Sequence, residues 1–105
     1  HVVTTPEGFT FAHTGDQYNE EDLTWLFDVK TKIPALDVLL INCWANRLSD
    51  TIEGFDPKFV ITGHENELGH AIDHRESYWT SFIKLEDVKR PSCLMTWGET
   101  YWYKR

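Results

Sequence analysis

Cysteine and positive charge are both scarce in this chain of 105 residues. The two cysteines, Cys43 and Cys93, stand far apart and fit no metal-ligand spacing. They read as two buried thiols and leave the redox compartment open. Ten Lys and Arg face 17 Asp and Glu, for a net charge of −7. Nucleic acid and anionic membrane surfaces both select clustered basic residues, so neither is expected as a partner. The basic residues near the end (Lys84, Lys89, Arg90, Lys104, Arg105) are too scattered to form a patch. Long apolar runs are missing as well. The longest, Val38 to Ile41, is far below the ~20 residues of a membrane span. No charged start followed by an apolar stretch signals export, and no repeat or low-complexity tract breaks the chain.

Aromatic residues, by contrast, are plentiful: five Trp, six Phe and four Tyr make up 14% of the chain. Each ring buries a large apolar area, so a real core is within reach at this length, and a single domain is expected.

The pattern along the chain alternates strands and helices. Val2 to Thr5 is β-branched, Pro6-Glu7-Gly8 marks a turn, and Phe9 to Thr14 resumes strand alternation, which predicts a hairpin. Glu20 to Phe27 reads as a short helix with Asn19 as N-cap and Leu23, Trp25, Leu26 and Phe27 on a buried face. Leu36 to Ile41 is apolar on successive residues after Asp37, the mark of a strand covered on both faces. Arg47 to Gly54 predicts a helix ending at glycine, and Asp56-Pro57 opens a strand at Phe59 to Thr62. Glu67 to about Val88 has helical composition. Cys93 to Thr96, a turn at Gly98-Glu99, and Thr100 to Tyr103 read as a closing hairpin. The order β-β-α-β-α-β-α-β-β defines a mixed α/β (α+β) domain over residues 1–105, one sheet with helices on one face.

Two segments share a glycine and a possible ligand directly after a strand: Gly15-Asp16 and Gly63-His64. A sheet holds such a strand end rigid while the loop projects the side chain. Taken alone, Gly-Asp is a common turn or cap pair. The stretch from Gly63 to Glu76 is the richest in chemistry, with His64, His70 and His74 among four acids. Imidazole and carboxylate are the usual zinc ligands. His70 and His74 lie at i and i+4, on one helical face. The zinc-peptidase signature, however, places Glu directly after the first His of such a pair, and Ala71 stands there. After His64-Glu65 the second His of that signature is replaced by Leu68. The zincin arrangement is excluded on spacing.

Four segments in order resemble the metallo-β-lactamase superfamily. Phe11-Ala12-His13-Thr14-Gly15-Asp16 is similar to its Gly-Asp strand end, and Asp37 to Ile41 to the next central strand. Asp56-Pro57-Lys58-Phe59-Val60-Ile61-Thr62-Gly63-His64 is similar to its Pro-Lys-strand-His segment, and Trp97-Gly98-Glu99 to the terminal hairpin of the lactonase-like branch. The resemblance spans almost the whole chain and implies the C-terminal half of an αββα sandwich. By it, Asp16 is the carboxylate bridging two divalent ions (zinc or manganese) and His64 the last imidazole ligand. A site of that kind activates water for attack on an ester, lactone or phosphoester. The family's His-x-His-x-Asp-His motif, carried by the N-terminal half, is absent from this sequence. Two ligands do not make a tight site, so the chain alone is expected to be inactive and to hold no metal tightly.

Further expectations concern the neighbours of that site. His13, His70, His74 and Arg75 are candidates for orienting His64 or contacting an anionic substrate, against the plainer reading of a strand histidine and a solvated helix face. The expected partner is the N-terminal half of the fold. Without it, strand residues such as Val38, Leu40 and Val60 or their alternates stay bare, and the chain is expected to self-associate. The competing reading is a binding or assembly module with no enzymatic role. A small metal-binding protein using His64, His70 and His74 ranks third.

Overall fold

The computed structural model of the chain describes residues 1–16, 19–65, 78–95 and 98–104. Five strands form one mixed sheet in chain order: β1 (Val2–Thr4), β2 (Thr10–His13), β3 (Val38–Asn42), β4 (Phe59–Gly63) and β5 (Ser92–Cys93). β1 and β2 are the predicted hairpin, paired antiparallel, and each later neighbour is parallel. Three successive parallel neighbours require three crossovers. Crossovers of one hand, each stepping to the next strand on the same side, put their helices on one face of the sheet.

Those crossovers contain helix α1 (Glu20–Leu23) with a 3-10 segment at Leu26–Thr31, helix α2 (Leu48–Phe55) and helix α3 (Tyr78–Leu85). The register places Ala12, Leu39 and Val60 side by side on one face, with Ile41 two residues further along β3. These four form the core with Leu23, Leu26, Val29, Leu36, Leu48, Ile52, Phe55 and Leu85 from the crossovers. The α/β class with a helix-covered sheet stands as the sequence indicated.

Several elements differ from the sequence expectation. The helix read as Glu20 to Phe27 ends at Leu23 and gives way to 3-10 turns. Leu23, Leu26 and Val29 are buried at intervals of three, which matches the 3.0-residue turn of a 3-10 helix better than the α period. Trp25, expected on that buried face, is exposed. Asn19 does occupy the N-cap position, without a side-chain capping bond.

Gly54 lies inside α2, not after it, and the left-handed residue that closes the helix is Asp56. Glycine is required at this point for packing. A Cβ would meet the Leu26 carbonyl oxygen and come within 2.6 Å of Phe27 Cα. The helix predicted from Glu67 to Val88 is described only in its second part, as α3.

The closing hairpin is the largest departure. Thr100 to Tyr103 forms no strand, yet its alternation is used. Tyr101 stacks on Phe59 with centroids 4.9 Å apart, and Tyr103 packs between Phe59 and Phe9 at 5.8 and 5.5 Å. Trp102 between them points to solvent, 84% exposed. An extended segment laid across a sheet face gives the same period-2 pattern as a paired strand.

This segment also changes what the second face leaves bare. Val38 and Phe59 are buried on it, and Val60 belongs to the helix face, where it is fully buried. Leu40, Ile61, Cys93 and Phe11 are only partly covered on it, beside exposed His13 and Val3. Of the cysteines, Cys43 is buried and Cys93 half-buried, and both are free thiols.

Candidate functional site

Backbone conformation marks the C-terminal ends of β2 and β4. Beyond β2, Gly15 adopts a left-handed φ of 68°, and beyond β4, His64 does so at 73°. For a residue with a Cβ that conformation costs roughly 1–2 kcal/mol, so surrounding structure must hold it. The two turns bring the side chains together across the end of β3. Asp16 Oδ1 lies 2.9 Å from His64 Nε2. Asp16 is largely exposed and His64 about one quarter exposed, which leaves the pair open to solvent on the edge where ligands of parallel α/β sheets bind.

Hydrogen bonds around the pair tie the strand ends to one another. Thr14 Oγ1 donates to the Gly15 carbonyl at 3.0 Å and accepts the Asn42 N–H at 3.3 Å. Asn42 Oδ1 in turn accepts the Trp44 N–H at 2.8 Å. The Trp44 ring sits 5.8 Å from the His64 imidazole, and Cys43 N–H donates to the Gly63 carbonyl at 3.0 Å. His13 accepts the Gly15 N–H on Nδ1 at 2.8 Å. It therefore shapes the turn that presents Asp16. His70, His74 and Arg75 lie outside the described residues.

Glu65 was not singled out by sequence reasoning. It is 4% exposed, and its Oε1 has no hydrogen-bond partner among the described residues. A buried carboxylate oxygen left so is costly unless a cation or a proton meets it. The signal available in the sequence was position alone, an acid directly after His64.

The donor set can be tested against a divalent ion. Donors ~2.1 Å from one ion stand about 3.0 Å apart at a right angle and about 3.4 Å apart in a tetrahedron. The Asp16–His64 separation of 2.9 Å fits adjacent coordination positions, as well as a direct N–H···O bond. Among the described residues no three His, Cys, Asp or Glu side chains converge. Glu65 does not join Asp16 and His64, so the described residues supply two potential donors and no complete metal site.

Fold and site together define an α/β protein with a His–carboxylate pair at the C-terminal edge of its parallel strands. No protein-family model matches the chain, and neither a curated protein nor a solved structure matches it.

Proposed function

We propose that this chain is the C-terminal half of a metallo-β-lactamase-like, metal-dependent hydrolase, acting on an ester, lactone or phosphoester. The observation that supports this reading is the Asp16–His64 pair, 2.9 Å apart on turns that follow two strands flanking a third. Asp16 and His64 hold the divalent ions, zinc or manganese, together with ligands from an N-terminal half bearing the His-x-His-x-Asp-His motif. Bound there, the metal supplies Lewis-acid activation of water at neutral pH. The chain's own residues do the positioning. His13 fixes the Gly15 turn, Thr14 and Asn42 lock the ends of β2 and β3 together, and Trp44 walls one side of the imidazole. Leu40 and Ile61, half-covered on the face away from the helices, are the strip on which the other half seats. Alone, the chain self-associates through that strip.

The test is a zinc titration of the 105-residue chain followed by NMR of the histidine side chains. Weak binding that shifts His64 first and disappears in Asp16→Ala is expected, with no zinc-dependent esterase or phosphodiesterase turnover. Absence of any His64 response at millimolar zinc overturns the reading. So does robust zinc-dependent turnover that Asp16→Ala abolishes, because the chain would then be a complete enzyme.

A second reading, a binding or assembly module with no catalytic role, draws support from the C-terminal segment. Tyr101 and Tyr103 already cover part of the sheet face that a second half would occupy. Sedimentation separates the two: a monodisperse monomer at high concentration that binds no hydrophobic dye favours the module.

A further inference from the structure

Helix α3 and strand β5 leave a groove between them on the edge of the sheet. Phe82, Leu85 and Glu86 form one wall, and Ser92, Cys93 and Leu94 the other, around a volume of about 290 Å³. Pockets for drug-sized ligands run roughly 300–1,000 Å³, so this groove suits one or two side chains better than a cofactor. Its apolar surface continues onto the outside of α3. Trp79 and Phe82 stack there with centroids 5.6 Å apart, and Trp79, Phe82 and Ile83 are each about half exposed or more. Positions 79, 82 and 83 share one stripe of the helix, and Glu86 follows in the turn directly after it.

The strand wall of the groove is also the end of the sheet. β5 pairs with β4 on one side, and among the described residues it has no strand on the other. An edge of this kind presents unpaired backbone N–H and C=O groups to any extended chain. A groove beside such an edge is the setting for strand addition, in which main-chain bonds supply affinity and side-chain pockets supply selectivity. Charge narrows the occupant. Glu86 lines the groove, and the charge of Glu99 reaches Cys93, where it adds to burial in raising the thiol's pKa. The chain as a whole carries −7.

We propose that the α3–β5 groove binds an extended peptide segment of a partner protein as a sixth strand, with an aliphatic side chain in the groove and a Lys or Arg against Glu86. The proposal stands apart from the metal reading, since it uses none of the residues around Asp16 and His64.

The probe is an acetylated, fluorescently labelled heptapeptide, Lys-Thr-Ile-Thr-Ile-Thr-Lys, whose isoleucines and lysines share one face when extended. Fluorescence anisotropy against the intact chain is expected to give saturable binding. Phe82→Asp and Glu86→Lys, both at exposed positions that leave the fold intact by circular dichroism, each weaken it by about tenfold or more. Replacing the central Thr of the peptide by Pro removes a backbone donor and weakens binding to a similar extent. Replacing both lysines by Glu does the same. Amide exchange at Ser92 and Leu94, whose N–H groups alternate with the β4-facing Cys93 and point to the free edge, slows in the complex. Absence of binding at millimolar peptide overturns the proposal. Equal binding by the Phe82 and Glu86 variants, or by the proline peptide, overturns it as well.

Discussion

Asp37 and Asp16 occupy opposite ends of the same parallel strands and are treated in opposite ways. Asp37, just before β3, is 1% exposed, and its two oxygens accept Thr10 N–H at 2.9 Å and Lys58 Nζ at 2.8 Å. One side chain thus ties β2, β3 and the approach to β4. The backbone reinforces the tie: Asp37 N–H donates to the Thr10 carbonyl and Lys58 N–H to the Leu36 carbonyl. Asp16, beyond β2, is 80% exposed and meets the His64 imidazole from a turn in the left-handed region. Buried charge fully bonded at one end, exposed charge meeting a histidine on left-handed backbone at the other: the first arrangement holds the sheet together, and the second leaves its groups available.

The sharpest way to break this comparison is to remove each carboxylate in turn. Asp37→Ala leaves the buried Thr10 N–H without its acceptor and Lys58 without its partner, and is expected to cost about 3 kcal/mol. Asp16→Ala is expected to stay within about 0.5 kcal/mol of the wild type, as for surface positions generally. Urea denaturation of the two variants measures the difference. Equal losses would mean that the two ends are not specialised.

This asymmetry was partly legible in the sequence. Strand order, the glycines before Asp16 and His64, and the apolar run after Asp37 all gave positions that the fold uses, because local turn chemistry and periodicity act over a few residues. The meeting of Asp16 and His64 depends on two crossovers, and only the ordered resemblance of four segments pointed to it. Asp37 was placed in a strand, but its role was not legible, since nothing local shows that a carboxylate at a strand start will bond to Thr10 and Lys58. Gly54 misled for a related reason. A glycine near a helix end suggests a cap, whereas here it admits the backbone of Leu26 and Phe27. Alternation at Tyr101 to Tyr103 is ambiguous by itself, since covering a sheet and joining it use one pattern.

A smaller effect sharpens the picture at the functional end. His64→Gly removes the left-handed penalty of roughly 1–2 kcal/mol, loses the Trp44 ring contact, and adds unfolded-state entropy worth roughly 0.5–1 kcal/mol. These terms nearly cancel, so the variant is expected to melt within a few degrees of the wild type while its zinc response vanishes. Ile61→Gly, three residues earlier on a regular strand, is expected to lose about 2–4 kcal/mol through its missing side chain. Comparable losses at the two positions would show that the His64 backbone is not strained.

The smallest expected effect concerns ionic ties at the structural end. Arg90, before β5, pairs with Asp56, before β4, and reaches Glu53 at 3.4 Å. The Arg90 guanidinium lowers the Asp56 pKa below the usual aspartate value, chiefly by hydrogen bonding, and Asp56 raises that of Arg90 in return. A carboxylate with a depressed folded pKa contributes stability above its unfolded value, about 3.9, and loses it as the pH falls through the folded value. The raised Arg90 value acts far into the alkaline range, so the accessible window is acidic. Asp56 and Arg90 face solvent, and screening keeps the pair's contribution small. Arg90→Ala should therefore leave the urea midpoint nearly constant between pH 5 and 8, apart from a small uniform decrease. Below about pH 4 the difference from the wild type should shrink, because the wild type is then losing the same contact. Asp37→Ala should remain far less stable than the wild type throughout the neutral range, since its lost contacts are buried. A difference for Arg90→Ala that grows as the pH falls would reverse the sign and remove Asp56 from the ties that hold this end of the sheet.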